Sequence, residues 1–195
     1  MGDDKIEKLF YYKGMDALSL PLSNRLLVLS APHAAVRWML ELAARLALSG
    51  PLRVLDGGNR FNVYPVARTI RRYSAELTAA LARIELVRAF TCYQLAAMLQ
   101  EMPADGRPLL VLDMLATFYD ESVNLDESCR LLSACIPHLQ RLSQAAPLVA
   151  SAKPPAALSA GRAVLLDMLQ SAAAGAWQLE ALPAPKAPML WDQEA

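Results

Sequence analysis

Six short runs carry leucine, valine and alanine at nearly every position: 25–30, 52–56, 84–89, 108–114, 147–152 and 176–181. Strands of a half-exposed sheet alternate apolar and polar residues. Near-continuous apolar character instead marks strands buried on both faces of a parallel sheet. Between the runs lie five stretches with helical spacing, 34–48, 65–83, 91–102, 126–144 and 159–174. The first places Val36, Leu40, Ala43 and Ala47 on one face and Arg37, Glu41 and Arg45 on another. The second opens on Pro65, suited to a first helical position, and repeats Val66, Ile70, Tyr73, Leu77 and Leu81. Asp126 is placed to cap the fourth. Strands alternating with helices predict βαβ units and a doubly wound α/β domain, a mainly parallel sheet flanked by helices.

The ends break this pattern. Residues 1–17 begin with a charged stretch and are expected to be flexible, and 183–195, "PAPKAPMLWDQEA", reads as a proline-rich tail. One domain over 18–182 is expected between them. Net charge is zero, so no overall field draws the chain to nucleic acid or membrane. The opening decapeptide "MGDDKIEKLF" is too charged for a secretory signal, and no window reaches the roughly 20 apolar residues of a membrane span. Cys92, Cys129 and Cys135 lack metal-ligand spacing and read as reduced thiols. The expected setting is cytoplasmic, with no membrane association and no metal.

The run at 108–114 ends "PLLVLDML", with Asp113 after the apolar residues. On that ground alone Asp113 is either a cap for the next turn or a carboxylate at a functional strand end. The order of segments adds more. "LLVLSAPHAAVRWMLELAARLA", "VLDGGNRFNVYPVAR", "IELVRAFTCYQLAAML", "PLLVLDML" and "PLVASAKPP" follow one another with family-like spacing. Over roughly residues 18–181 the chain resembles the ATPase core of the RecA/RadA recombinase superfamily. The resemblance implies a RecA-like doubly wound sheet in which the 147–152 strand lies between the 25–30 and 108–114 strands, with Asp113 as the Walker B-like carboxylate.

The same resemblance exposes losses. The phosphate-loop pattern GxxxxGK[ST] falls on residues 31–38, where Ala31 and Val36 replace the glycines, Arg37 the lysine and Trp38 the hydroxyl residue. Pro32 and His33 lie inside this degenerate loop. A β-branched valine resists the positive φ that glycine adopts freely, Trp38 offers a metal no oxygen, and a planar guanidinium does not stand in for an ammonium. The catalytic glutamate of the family falls on Gly58, which can accept no proton. The expectation is a protein without ATPase activity and without a cofactor.

The family's DNA-contacting loops are also altered. Asp120, Glu121, Asp126 and Glu127 populate the loop after the fourth run, and carboxylates repel phosphate. Positive charge gathers instead on Arg60, Arg68, Arg71 and Arg72. Three of these share one helix face, and they read first as a solvated face and second as a contact for DNA or an acidic partner. In the tail, Met189, Leu190 and Trp191 resemble a docking peptide. The resulting expectation is a silent RecA-like structural or regulatory subunit in DNA recombination or repair, self-associated or paired with another RecA-like chain. The alternatives are a non-hydrolysing ATP-binding switch, or an enzyme of another class reusing a cleft near His33, Asp113 and Lys153.

Overall fold

The computed structural model describes residues 6–10, 24–156 and 161–180. Seven strands, β1 (Ile6–Phe10), β2 (Leu26–Ser30), β3 (Leu52–Asp56), β4 (Ile84–Arg88), β5 (Leu109–Leu112), β6 (Leu148–Ala152) and β7 (Gly175–Glu180), form one sheet in the order β1-β7-β2-β6-β5-β3-β4. Every pairing is parallel. As expected, β6 inserts between β2 and β5. The fold is α/β with helices on both faces of a parallel sheet, consistent with a RecA-like doubly wound domain.

The apolar runs are explained by burial from two sides. Every residue of β2, β3, β5 and β6 is buried. Leu26, Val28, Val111 and Ala150 pack on one side with α4 (Cys92–Glu101), α5 (Leu125–Ala145) and α6 (Ala163–Ala172). Leu27, Leu29, Leu110 and Val149 face α1 (Val36–Ser49), α2 (Val63–Tyr73) and α3 (Leu77–Leu81). Three helices therefore cover each face. Among the described residues no helix is long and apolar enough to cross a membrane. The three cysteines are free, and burial pushes the Cys135 thiol up to about 12, so it stays protonated inside the core.

Three local expectations are corrected. The 65–83 helix is two helices, because the Ser74 hydroxyl accepts the Glu76 N–H at 3.0 Å while Ser74 itself is extended. Local serine bonding competes with the helical ladder even where apolar spacing continues. The α5 helix starts at Leu125, ahead of the expected Asp126 cap, because the Asn124 side chain accepts the Glu127 N–H at 2.8 Å. Asp126 and Glu127 then occupy the first turn, where the helix dipole favours carboxylates. Within the N-terminal segment expected to be flexible, Ile6–Phe10 pairs with β7 as an edge strand.

At the amino end of β3, buried Arg53 joins three segments. Its guanidinium donates to Asp105 at 2.7 and 3.0 Å, to Glu85 at 3.0 Å and to the Pro103 carbonyl at 3.0 Å. Burial alone would raise the Asp105 carboxyl, but the bonds from Arg53 and the Arg107 N–H outweigh it and hold it below the usual carboxylate range. A carboxyl depressed in the folded state stabilises above its unfolded pKa and loses that contribution as pH falls through the folded value. Stability measured by urea unfolding should therefore drop on acidification below about pH 4. Asp105→Asn should flatten that drop, and an unchanged profile would refute the assignment.

Candidate functional site

In an all-parallel sheet the carboxyl ends of all strands share one edge, and ligand sites of open α/β sheets lie there. That edge carries the Pro32–Ala35 turn, Gly58 and Asp113. Two carboxylates end adjacent strands: Asp56 closes β3 and Asp113 follows β5, and both are fully buried. Each is held by an arginine. Arg60 Nε donates to Asp113 Oδ2 at 3.1 Å, and Arg88 Nε lies 3.4 Å from Asp56 Oδ2. Asp56 also accepts the Arg60 and Phe61 backbone N–H groups, both at 2.8 Å, which folds the loop after β3 back over the strand end. Asp56 and Arg88 were not singled out from sequence, although Asp56 ends its apolar run just as Asp113 does.

Asp113 sits under constraint. Its φ is 48°, a left-handed value that aspartate tolerates better than most residues. Its backbone N–H donates to Ser151 Oγ at 3.1 Å, while Oδ1 has no hydrogen-bond partner among the described residues. A Cβ added at Gly58 would stand 2.6 Å from Asp113 Cβ and 2.7 Å from Oδ2. Position 58 thus has no room for any side chain, because the Asp113 side chain occupies the space above it. Nearby, the Tyr119 hydroxyl donates to the Lys153 carbonyl at 3.1 Å, and burial, with the Asp113 and Asp167 carboxylates, pushes its pKa up.

Pro32–Ala35 form a tight turn in which His33, Ala34 and Ala35 all take left-handed conformations, φ 56°, 53° and 49°. Each such non-glycine residue costs about 1–2 kcal/mol. Ala31, Ala34 and Ala35 are buried, so small side chains let the turn sink into the α1 face of the sheet. Two of its amides are satisfied internally: Ala34 N–H donates to the Ala31 carbonyl at 3.0 Å, and Val36 N–H to the His33 carbonyl. Val36 itself is right-handed helical, which removes the conflict its β-branch would create in a glycine position. Trp38 is buried.

The remaining candidates are scattered. Pro32, His33 and Arg37 are exposed, and Arg37 has no ion-pair partner among the described residues. Arg60, expected to face DNA or a partner, is engaged with Asp113. Arg68, Arg71 and Arg72 are exposed along α2, on the face opposite buried Val66 and Ile70. His33 lines a groove beside β4 that includes neither Asp113 nor Lys153, so these three do not share one cavity. Met189, Leu190 and Trp191 lie outside the described residues.

The groove has a volume of about 1230 Å³ and runs from the amino end of α1 past residues 59–62 and the first turn of α2 to β4. Leu40, Phe61, Leu81, Ile84 and Leu86 supply apolar surface, and Arg37, Arg60 and Arg88 supply charge. No described residue lining it is acidic.

Comparison with models of known protein families gives no match, and comparison with curated proteins gives none. Gly58→Ala should destabilise the fold by about 2–4 kcal/mol, since the new methyl group overpacks against a buried side chain. Adding Asp113→Gly should restore part of that loss, because it vacates the contested space and suits the positive φ. Chemical denaturation of the single and double variants checks this, and simple additivity would show that the two positions do not compete.

Proposed function

We propose that this chain is a catalytically silent RecA-like protein that serves as a structural or regulatory subunit, in DNA recombination or repair. The observation that carries the reading is the Arg60–Asp113 pair. A strand-terminal carboxylate of this kind would hold magnesium in the family the sequence resembles. Here a cation built into the chain occupies one of its oxygens, and the carboxylate is sealed from water. The left-handed turn, with its internally bonded amides and the buried indole of Trp38, fits a polyphosphate no better. Together with the lack of space at Gly58, the residues do not fit a magnesium nucleotide.

The ATP-switch alternative needs Asp113 to be free and Arg37 to face the same ligand. Asp113 is fully buried and paired, while Arg37 lines the groove beside β4, so the geometry favours the silent reading. The process, recombination or repair, comes by analogy with the resembled family alone. A partner role is supported by aromatic surface that a solitary domain would hide. Tyr64 is 79% exposed, Phe90 69% and Tyr93 51%, and they follow the neighbouring strands β3 and β4. Exposed aromatic side chains are enriched where proteins meet. The partner is another RecA-like chain or a second copy.

Isothermal calorimetry with ATP and Mg²⁺ should show no binding in the micromolar range; micromolar affinity would overturn the reading in favour of a switch. The α2 arginines give a second test. If Arg68, Arg71 and Arg72 contact nucleic acid, binding should be independent of sequence and weaken steeply with salt. Replacing all three with alanine should then reduce the log–log salt slope by about 2.7. An unchanged slope, or no binding by the wild type at low salt, would leave α2 a solvated face.

A further inference from the structure

The groove beside β4 changes character from end to end. Residues that follow the strands of a parallel sheet gather at its carboxyl edge, and there the lining is polar. It comprises Arg37 in the first turn of α1, Asn59 and Arg60 after β3, Asn62 at the cap of α2, and Arg88 at the end of β4. Toward the amino edge the lining turns aliphatic, with Leu86 and Ile84 of β4, Leu81 at the end of α3 and Leu40 one turn into α1. Leu81, Ile84 and Leu86 pack against the core on the α1 face yet are only half-buried, so apolar surface is left open here. The charge can be counted. Arg60 and Arg88 are neutralised by the buried Asp113 and Asp56 behind them, and no lining residue is acidic. Arg37 is exposed and has no hydrogen-bond or ion-pair partner among the described residues. The groove thus offers one uncompensated guanidinium at its polar end and aliphatic surface at the other.

We infer that this groove binds a free amphiphilic monoanion, a carboxylate on a long apolar chain, with its head on Arg37 and its chain along Leu86 and Ile84 toward Leu81. A site that is mostly apolar, with a few polar groups at one end to fix orientation, is the usual form of a small-molecule site. At about 1230 Å³ the groove exceeds the roughly 300–1,000 Å³ of such sites, which favours an elongated ligand over a compact one. From Arg88 back to Ile84 the strand spans roughly 13 Å at about 3.3 Å per residue, close to the length of an extended decanoyl chain. A single unpaired guanidinium matches a single negative charge. Asn62 caps α2 through its side-chain oxygen, which leaves its amide N–H groups for the same head. A peptide laid along the aliphatic end would meet no polar side chain for its amides, whereas an alkyl chain needs none. Each methylene buried there is worth roughly fourfold in affinity, while an exposed ion pair adds little. The tail therefore supplies affinity and the head supplies selection. The inference goes beyond the silent-subunit reading and does not rest on it.

The test is isothermal calorimetry of the full chain with decanoate, octanoate, decanol and decyltrimethylammonium, each below its micelle concentration. Decanoate should bind saturably, one per chain, and roughly 15-fold tighter than octanoate, since two methylenes separate them. Decyltrimethylammonium, with the same tail and the opposite charge, should bind more weakly than decanoate. Arg37→Gln, at an exposed position, should weaken decanoate about fivefold and leave decanol unchanged. Leu86→Glu should abolish binding of both; should it fail to fold, Arg37→Gln decides alone. Absence of saturable decanoate binding overturns the inference. So does equal affinity for the cationic amphiphile, or a decanoate affinity that Arg37→Gln does not change. Two further outcomes would assign the groove to another occupant and likewise overturn it. One is decanoate affinity that falls as protein concentration rises, the sign of a second copy in the groove. The other is co-sedimentation with phosphatidylglycerol vesicles that Leu86→Glu abolishes, the sign of a membrane face.

Discussion

The carboxyl edge of this molecule is organised around one buried charge. Asp113 is sealed beneath the surface after β5, and a buried carboxylate without a partner is costly. Arg60 supplies the pairing, and to reach it the loop after β3 folds back on Asp56, whose two oxygens accept the Arg60 and Phe61 amides. Arg88 at the end of β4 closes the set by approaching Asp56. Gly58 is then required, since any side chain there would collide with Asp113. Three adjacent strands are thus tied together at their ends by two carboxylates and two arginines.

Under the proposed reading, that arrangement lets the sheet dispense with a ligand at the edge where open α/β sheets bind one. In a nucleotide-dependent protein the strand-end carboxylate and the loop amides wait for a cation and a phosphate. Here the cation is a side chain, and amides of the Pro32–Ala35 turn bond to the turn's own carbonyls. The left-handed turn stores several kcal/mol of local strain, by the usual cost per residue, offset by sinking Ala34 and Ala35 into the core. The surface features with no internal explanation lie elsewhere, on the α2 arginines, on Tyr64, Phe90 and Tyr93, and in the groove beside β4.

The strands were legible in the sequence because burial on both faces leaves a signal in every residue, and β2, β3, β5 and β6 are buried throughout. The position of β6 came from the family resemblance, which orders strands that local pattern cannot. The break after Tyr73 was hidden because Leu77 and Leu81 keep helical spacing across it, while the Ser74 turn that causes it is a single side-chain bond. The left-handed alanines were invisible for a related reason, since alanine has no preference for that conformation and only the packing imposes it. At the site, the departures of 31–38 and 58 from the pattern of the resembled family can be read residue by residue. The pairing of Arg60 with Asp113, 53 positions apart, could not, because it exists only once β3 and β5 are neighbours. Arg60 was accordingly read as a surface contact.

The central claim is that the chain's own guanidinium takes the place of a metal–nucleotide complex at Asp113. A crystal structure of the protein grown with saturating Mg²⁺ and a non-hydrolysable ATP analogue tests it most directly. The account predicts Arg60 Nε still about 3.1 Å from Asp113 Oδ2, His33, Ala34 and Ala35 still left-handed, and no density for nucleotide over the turn. A magnesium ion coordinated through Asp113, with phosphates seated on the amides of residues 31–38 and Arg60 swung away, would contradict it.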